Sequence, residues 1–186
     1  FRSSVLIMAV ELDFPNKYCN KVATAIMLNE DINKLIYYNK ILDKDIFSLE
    51  KVKNPISELK DKNVFVNRRV IDMFKTVDGK IISESDVYVF VNLYTDSPCS
   101  ISNGNSRFIN TLRLDIGVIC NDMVSNTLNG KREVVIYNKI IKMLKEDEKL
   151  YGVGEPNFQP TKQNYQIPYG YNSYIITVLV DYFNNW

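Results

Sequence analysis

The chain of 186 residues has no histidine at all. That removes the commonest general base and the commonest transition-metal ligand. Ser-His and Cys-His nucleophile pairs are therefore impossible within one chain. There is no C-x-x-C pair, which argues against a structural zinc site. No G-x-G-x-x-G, G-x-x-x-x-G-K-[ST] or G-x-S-x-G pattern occurs; Gly130-Lys131 lacks both the upstream glycine and a following Ser or Thr. A charge excess is missing too: 23 basic residues face 22 acidic ones. A dedicated duplex binder gains affinity from each phosphate it neutralises, so balanced charge speaks against that role and favours tight assembly. No run approaches the ~18 apolar residues of a membrane-spanning helix. The stretch Val5 to Val10 is six residues, too short for a signal-peptide core. The cysteines are few and odd in number: Cys19, Cys99 and Cys120. They predict reduced cytoplasmic synthesis, each thiol serving as a small buried hydrophobe.

What is present suits one folded unit. An apolar share of 46% supplies a core without disulfides, and a chain of this length buries roughly 70% of its unfolded surface. We expect an N-terminal arm over residues 1–16 and a single domain over 17–186. Apolar spacing predicts a helix from Lys17 to Tyr38, capped by Asn16. A connector follows, then a short helix opened by Asn54-Pro55 and ending near Lys62. Asp78-Gly79 signals a hairpin between residues 63 and 83. Val87, Val89, Val91 and Leu93 alternate with Tyr88, Phe90 and Asn92 in a strand over 86–95. After a Ser/Asn/Gly-rich loop, Asn110 to Cys120 reads as an antiparallel strand with one polar face: Thr111, Arg113, Asp115 and Gly117. Asn129-Gly130 turns the chain into a helix over 131–145, with an apolar stripe of Val134, Tyr137, Ile140, Ile141 and Leu144. Residues 151–172 read as a long irregular segment holding one short strand. Tyr174 to Phe183 reads as a strand central in its sheet. Strands joined by hairpin-like loops, with helices packed on one side, define an α+β fold: a mostly antiparallel sheet flanked by helices, with long projecting loops.

A histidine-free enzyme would need carboxylates and a divalent cation. The candidates are Asp115, Asp122, Glu58-Leu59-Lys60 and Asp147-Glu148-Lys149; the two triplets echo the acid-x-Lys element of magnesium nucleases. Both triplets fall in charge-rich helical stretches, where a solvated surface is the simpler account. Asp115 beside Arg113 suits an exposed cross-strand ion pair. No catalytic, cofactor or metal residue is assigned. Of the aromatic residues, 12 are tyrosines. Interleaved with lysine, tyrosine stacks single-stranded nucleic acid, with Tyr169 and Tyr171 the residues to test. Residues 165–174 have only Lys162 nearby, so protein–protein contact is the favoured reading. The alternatives to a binding protein are thus a metal-dependent carboxylate enzyme such as a nuclease and a single-strand nucleic-acid binding module.

Taken in order, the segments resemble a bacteriophage neck or tail-completion protein, the class that includes tail terminators. The likeness runs through Asn29-x-x-Ile32-x-x-Leu35-Ile36-Tyr37-Tyr38, Asn54-Pro55, Val87 to Val91, Arg113 to Cys120, Gly130-Lys131-Arg132, Tyr151-Gly152-Val153-Gly154 and Tyr169-Gly170-Tyr171. It covers roughly residues 22–183. It implies a non-enzymatic subunit of a homo-oligomeric ring, hexamer or dodecamer, at the head–tail junction. Its partners would be copies of itself, the portal or connector, and tail proteins. DNA would pass only transiently through the lumen, and no membrane is involved. The implied location is the neck or tail of the virion, and the host cytoplasm during assembly. Such rings close through head-to-tail contacts. The loops 96–107 and 151–172 are the first places to look for them, and Tyr94, Asn103, Arg132, Tyr151, Tyr165, Tyr169 and Tyr171 are the candidate interface residues. Arg132 is expected either to meet an acidic residue across an interface or to serve within the subunit.

Overall fold

A computed structural model describes residues 14–74, 86–93, 109–152 and 154–183. The first helical stretch is two helices, α1 (Phe14–Leu28) and α2 (Glu30–Tyr37), not one. Asn29 divides them. Its backbone is extended, and its Oδ1 accepts from the Ile32 amide at 3.2 Å. That is an N-cap inside an apolar pattern that spacing alone reads as continuous, and Glu30 and Asp31 add favourable charge at the new N-terminus. The buried Asn33 returns a bond to the Met27 carbonyl at 3.0 Å, so the end of α1 is satisfied as well. Asn16 lies within α1 and does not cap it.

A 3-10 turn at Ile46–Ser48 precedes α3 (Pro55–Leu59). Asn54 occupies its N-cap position in a left-handed conformation, φ 51°, but its side chain makes no capping bond. Then come β1 (Val64–Val66), α4 (Val70–Met73) and β2 (Val87–Leu93). The Asp78-Gly79 turn lies outside the described residues. The strands β1 and β2 run parallel, with Phe65 opposite Phe90. Parallel neighbours require a crossover, and α4 lies on it.

The remaining elements are β3 (Ile109–Asn121), α5 (Asp122–Ser125), the two-stranded ribbon β4 (Asn126–Thr127) with β5 (Gly130–Lys131), α6 (Arg132–Glu146), a 3-10 turn at Glu148–Leu150, β6 (Asn157–Pro160) and β7 (Tyr171–Phe183). The main sheet has the order β1-β2-β3-β7-β6, antiparallel except for the first pair. The fold is α+β. The middle strand is β3; β7 is interior only where β6 lies beside it.

The sheet is covered on both faces. Val87, Val89 and Val91 join Leu112 to Cys120 and Ile176 to Val180 beneath α1, α2 and α6. The buried line of α6 runs through Ile136, Ile140 and Leu144, while Tyr137 and Ile141 are only partly buried. The opposite face holds a second core of Phe65, Phe74, Tyr88, Phe90 and Ile119, closed by Tyr165, Ile167 and Tyr171. The strand β3 therefore lacks the solvated polar face that alternation implied. Gly117 faces this second core because Phe90 fills its space: a Cβ there would stand 2.2 Å from Phe90 Cε1.

Candidate functional site

Asp115 is fully buried, not exposed as expected. It lies on the face of β3 that the segment after β6 crosses. Its Oδ1 accepts from Thr177 Oγ1 at 2.6 Å, and its Oδ2 accepts from Tyr165 OH at 2.7 Å and Thr161 Oγ1 at 3.1 Å. Three hydroxyl donors compensate the desolvated carboxylate. The Tyr165 ring meets Phe90 at 5.1 Å between centroids. Residues 161–167 are thereby strapped across the sheet. Asp122 is exposed at the end of the same strand and accepts from Asn172 Nδ2 at 2.6 Å. It lies seven positions along the chain from Asp115, roughly 23 Å at the strand's rise, so the two cannot share one cation. Glu58 pairs with Lys62 at 3.8 Å, and Asp147 caps the 3-10 turn through the Lys149 amide at 3.0 Å. Among the described residues no group of three acidic or cysteine side chains is placed to hold a metal. Cys19 and Cys120 are buried as expected; Cys99 lies outside the described residues. Burial pushes both thiols up to about 12.

Arg132 takes the intrachain role. It is fully buried at the start of α6. Its Nε donates to the Val124 carbonyl at 3.0 Å, Nη1 to Leu35 at 2.7 Å, and Nη2 to Ile41 at 2.9 Å. The guanidinium thus closes the C-terminal end of α2, where unsatisfied carbonyls carry partial negative charge. Desolvation lowers its pKa, against the opposing pull of Cys120 and Glu133. Glu133, also buried, accepts from Ser125 Oγ at 2.8 and 2.9 Å. Arg132 consequently presents nothing to a neighbour.

The candidate tyrosines separate. Tyr151 donates to the Lys145 carbonyl in the last turn of α6. Tyr165 and Tyr171 face the second core, Tyr171 at 5.0 Å from Phe74. Tyr169 alone projects, fully exposed at the tip of the strap. Tyr94 and Asn103 lie outside the described residues. Sequence reasoning missed Met123, 84% exposed on α5, while Tyr174, within the 165–174 stretch read as a contact surface, is 41% exposed on β7. The Asp122 amide donates to the Gly170 carbonyl at 2.9 Å, which sets Met123 beside the Tyr169-Gly170 turn. A second exposed pair is Leu42 and Leu128, joined by the Leu128 amide on the Leu42 carbonyl at 3.2 Å. A third is Leu28 and Ile56, which line an open cleft of about 650 Å³ together with Lys60 and Asp61. Val64 of the edge strand β1 lines the adjoining cleft, which shares Ile56, Lys60 and Asp61. The only signal for Met123 and Leu128 in the sequence is an isolated apolar residue in a polar turn.

What the fold and these surfaces define is a mixed α+β domain with a sheet buried on both sides and apolar side chains displayed at separate places on its outside. The chain belongs to the YomW family, whose sequence model matches residues 29–180, and the family points to a phage-associated protein. No curated protein and no solved structure matches it.

Proposed function

We propose that this protein is a non-enzymatic structural subunit of the phage particle, assembling into a homo-oligomeric ring at the head–tail junction. The ring joins the connector to the tail and leaves a channel for DNA. The observation that carries the reading is the display of exposed apolar residues near opposite edges of the sheet. Leu28 and Ile56 flank the cleft beside β1; Met123, Tyr169 and Tyr174 gather at β7. A head-to-tail ring needs two unlike surfaces on one subunit, each meeting the other on the next copy. Tyrosine and methionine are enriched at such surfaces, where they supply adaptable contact area. The near-balanced charge suits a lumen that lets DNA pass without holding it. Membership of a phage-associated family supports the setting.

The test is assembly. Native mass spectrometry and light scattering on the protein, alone and mixed with connector and tail proteins, should show closed rings or their formation on a partner. Leu28→Asp combined with Ile56→Asp should abolish them. A protein that forms no ring and has no affinity for connector or tail proteins overturns the reading. So does magnesium-dependent DNA cleavage that is lost on Asp122→Asn.

A further inference from the structure

One wall of an open trough is the helix α1, and the other is the edge strand β1 with α3. Two clefts make it up, of about 320 and about 650 Å³, and they share Ile56, Lys60 and Asp61. Along α1 the lining residues include Asn16, Asn20, Thr24 and Leu28, spaced about one turn apart. Facing them are Val64 and Val66 of β1 and Ile56 of α3. At one end Asn67 Nδ2 donates to Asn16 Oδ1 at 3.0 Å and ties β1 to the start of α1. Leu28 and Ile56 mark the other end, 56% and 38% exposed. The lining is mixed: apolar side chains, with the amide of Asn20 and the hydroxyl of Thr24 among them. That mixture suits an extended peptide, whose side chains seek apolar surface while its backbone needs hydrogen-bonding groups.

Strand addition is not open here. The Val64 carbonyl already accepts from the Asp61 amide at 3.0 Å, within a parallel bridge between Lys60 and Val64. An occupant therefore seats through its side chains and not as a further strand of the sheet.

We infer that the occupant is this chain's own apolar run Val5–Val10, folded back from the start of α1. The run joins the domain at the trough itself, since α1 opens at Phe14, two residues before Asn16. The lengths agree. From Asn16 to Leu28 the helix spans about 18 Å, and six extended residues span about 20 Å. Glu11-Leu12-Asp13 remain to reverse the chain. The chemistry agrees as well. Val5 to Val10 is apolar throughout, and no other stretch outside the described residues carries more than two apolar residues in succession. An extended run points alternate side chains into the trough and the others away, so the β1 side of the domain stays apolar once the run is seated. The seat is therefore compatible with the ring proposed above and does not depend on it.

Hydrogen exchange on the full chain, read by mass spectrometry, tests the seat. Amides of residues 5–10 should exchange at least about tenfold more slowly than in a free peptide of the same sequence. Leu6→Asp with Ile7→Asp should remove that protection, because neighbouring positions put one carboxylate into the trough whichever alternate set points inward. A thiol in the wall reads the same event from the other side: Asn20→Cys in a Cys99→Ser background should react with iodoacetamide several-fold faster once those two aspartates are present. Adding Met8→Cys to that background and treating with a short bismaleimide should give a crosslinked product of monomer mass. Free-peptide exchange at residues 5–10 overturns the proposal. So does protection that survives Leu6→Asp with Ile7→Asp, an Asn20→Cys thiol indifferent to them, or a crosslinked product of dimer mass, which would put the run in a neighbour's trough. The ring is read separately, by its mass: a chain that forms no ring while residues 5–10 stay protected overturns only the function proposed above.

Discussion

Tyr165 donates its hydroxyl proton to Asp115 at 2.7 Å, tying a loop to the middle strand of the sheet across 50 residues of sequence. The bond matters because the carboxylate has no exposure to water. Removing one donor leaves a lone pair of a buried charge unsatisfied. Tyr165→Phe keeps the ring on Phe90 and deletes this bond. We expect about 1.5–3 kcal/mol of stability to go, the range for hydrogen bonds to charged groups. Chemical denaturation measures this. Asp115→Ala should cost at least as much, since three hydroxyls then lose their acceptor at once.

Gly117 and Phe90 sit opposite each other on β3 and β2. Any side chain at 117 would enter the ring's volume, with a Cβ at 2.2 Å from Phe90 Cε1. Gly117→Ala should destabilise the domain by about 1–3 kcal/mol, the usual cost of overpacking a well-filled core. Pairing it with Phe90→Leu opens space and should recover part of the loss. A double-mutant cycle by thermal unfolding gives the coupling directly.

The parts of the fold that repeat locally were legible. The strands β2 and β3 follow from strict alternation, and α6 from its apolar spacing and the preceding turn. Parts decided by distant residues were not. Alternation assigned β3 a polar face, because nothing near Asp115 says that Thr161, Tyr165 and Thr177 will cover it from 46 to 62 positions away. The single long helix failed for a local reason. Asn29 falls on the apolar spacing and was read as part of it, while its side chain was a cap. Of the candidate contact residues, Tyr169 is exposed, in the glycine- and proline-rich segment around it. Tyr165 and Tyr171 share that composition but point inward, a distinction carried by their partners on other strands.

The guanidinium of Arg132 holds carbonyls from Leu35, Ile41 and Val124 together, so three separate segments depend on its fork. Lysine brings the same charge as a point with shorter reach and cannot serve all three. Arg132→Lys should therefore destabilise by about 3 kcal/mol or more, on the scale of breaking a buried ionic network. Arg132→Met should be comparably harmful, because the carbonyls of Leu35, Ile41 and Val124 lose their donor and the buried Glu133 loses the neighbouring positive charge. Hydrogen exchange should show the last turn of α2 opening first. Protection at Lys34 to Tyr38 that is unchanged in either variant would show that the cap contributes nothing.

The two buried thiols give a pH signature. Cys19 and Cys120 are each pushed up to about 12, chiefly by burial, with the nearby Glu133 carboxylate adding to the effect at Cys120. In the unfolded chain a thiol ionises near 8.5. Between these limits the unfolded state loses its thiol protons first, so raising the pH draws the equilibrium toward it. The contribution is fully present below about 8.5 and is lost as the pH climbs toward 12. Stability measured by urea denaturation should fall steadily above pH 9, and the slope should flatten in a Cys19→Ala, Cys120→Ala variant. The same burial protects the thiols chemically, since the thiolate is the reactive form. In the folded protein at pH 8, alkylation of Cys19 and Cys120 should proceed only as fast as the domain opens. Mass spectrometry after brief iodoacetamide treatment, with and without denaturant, separates that rate from direct attack.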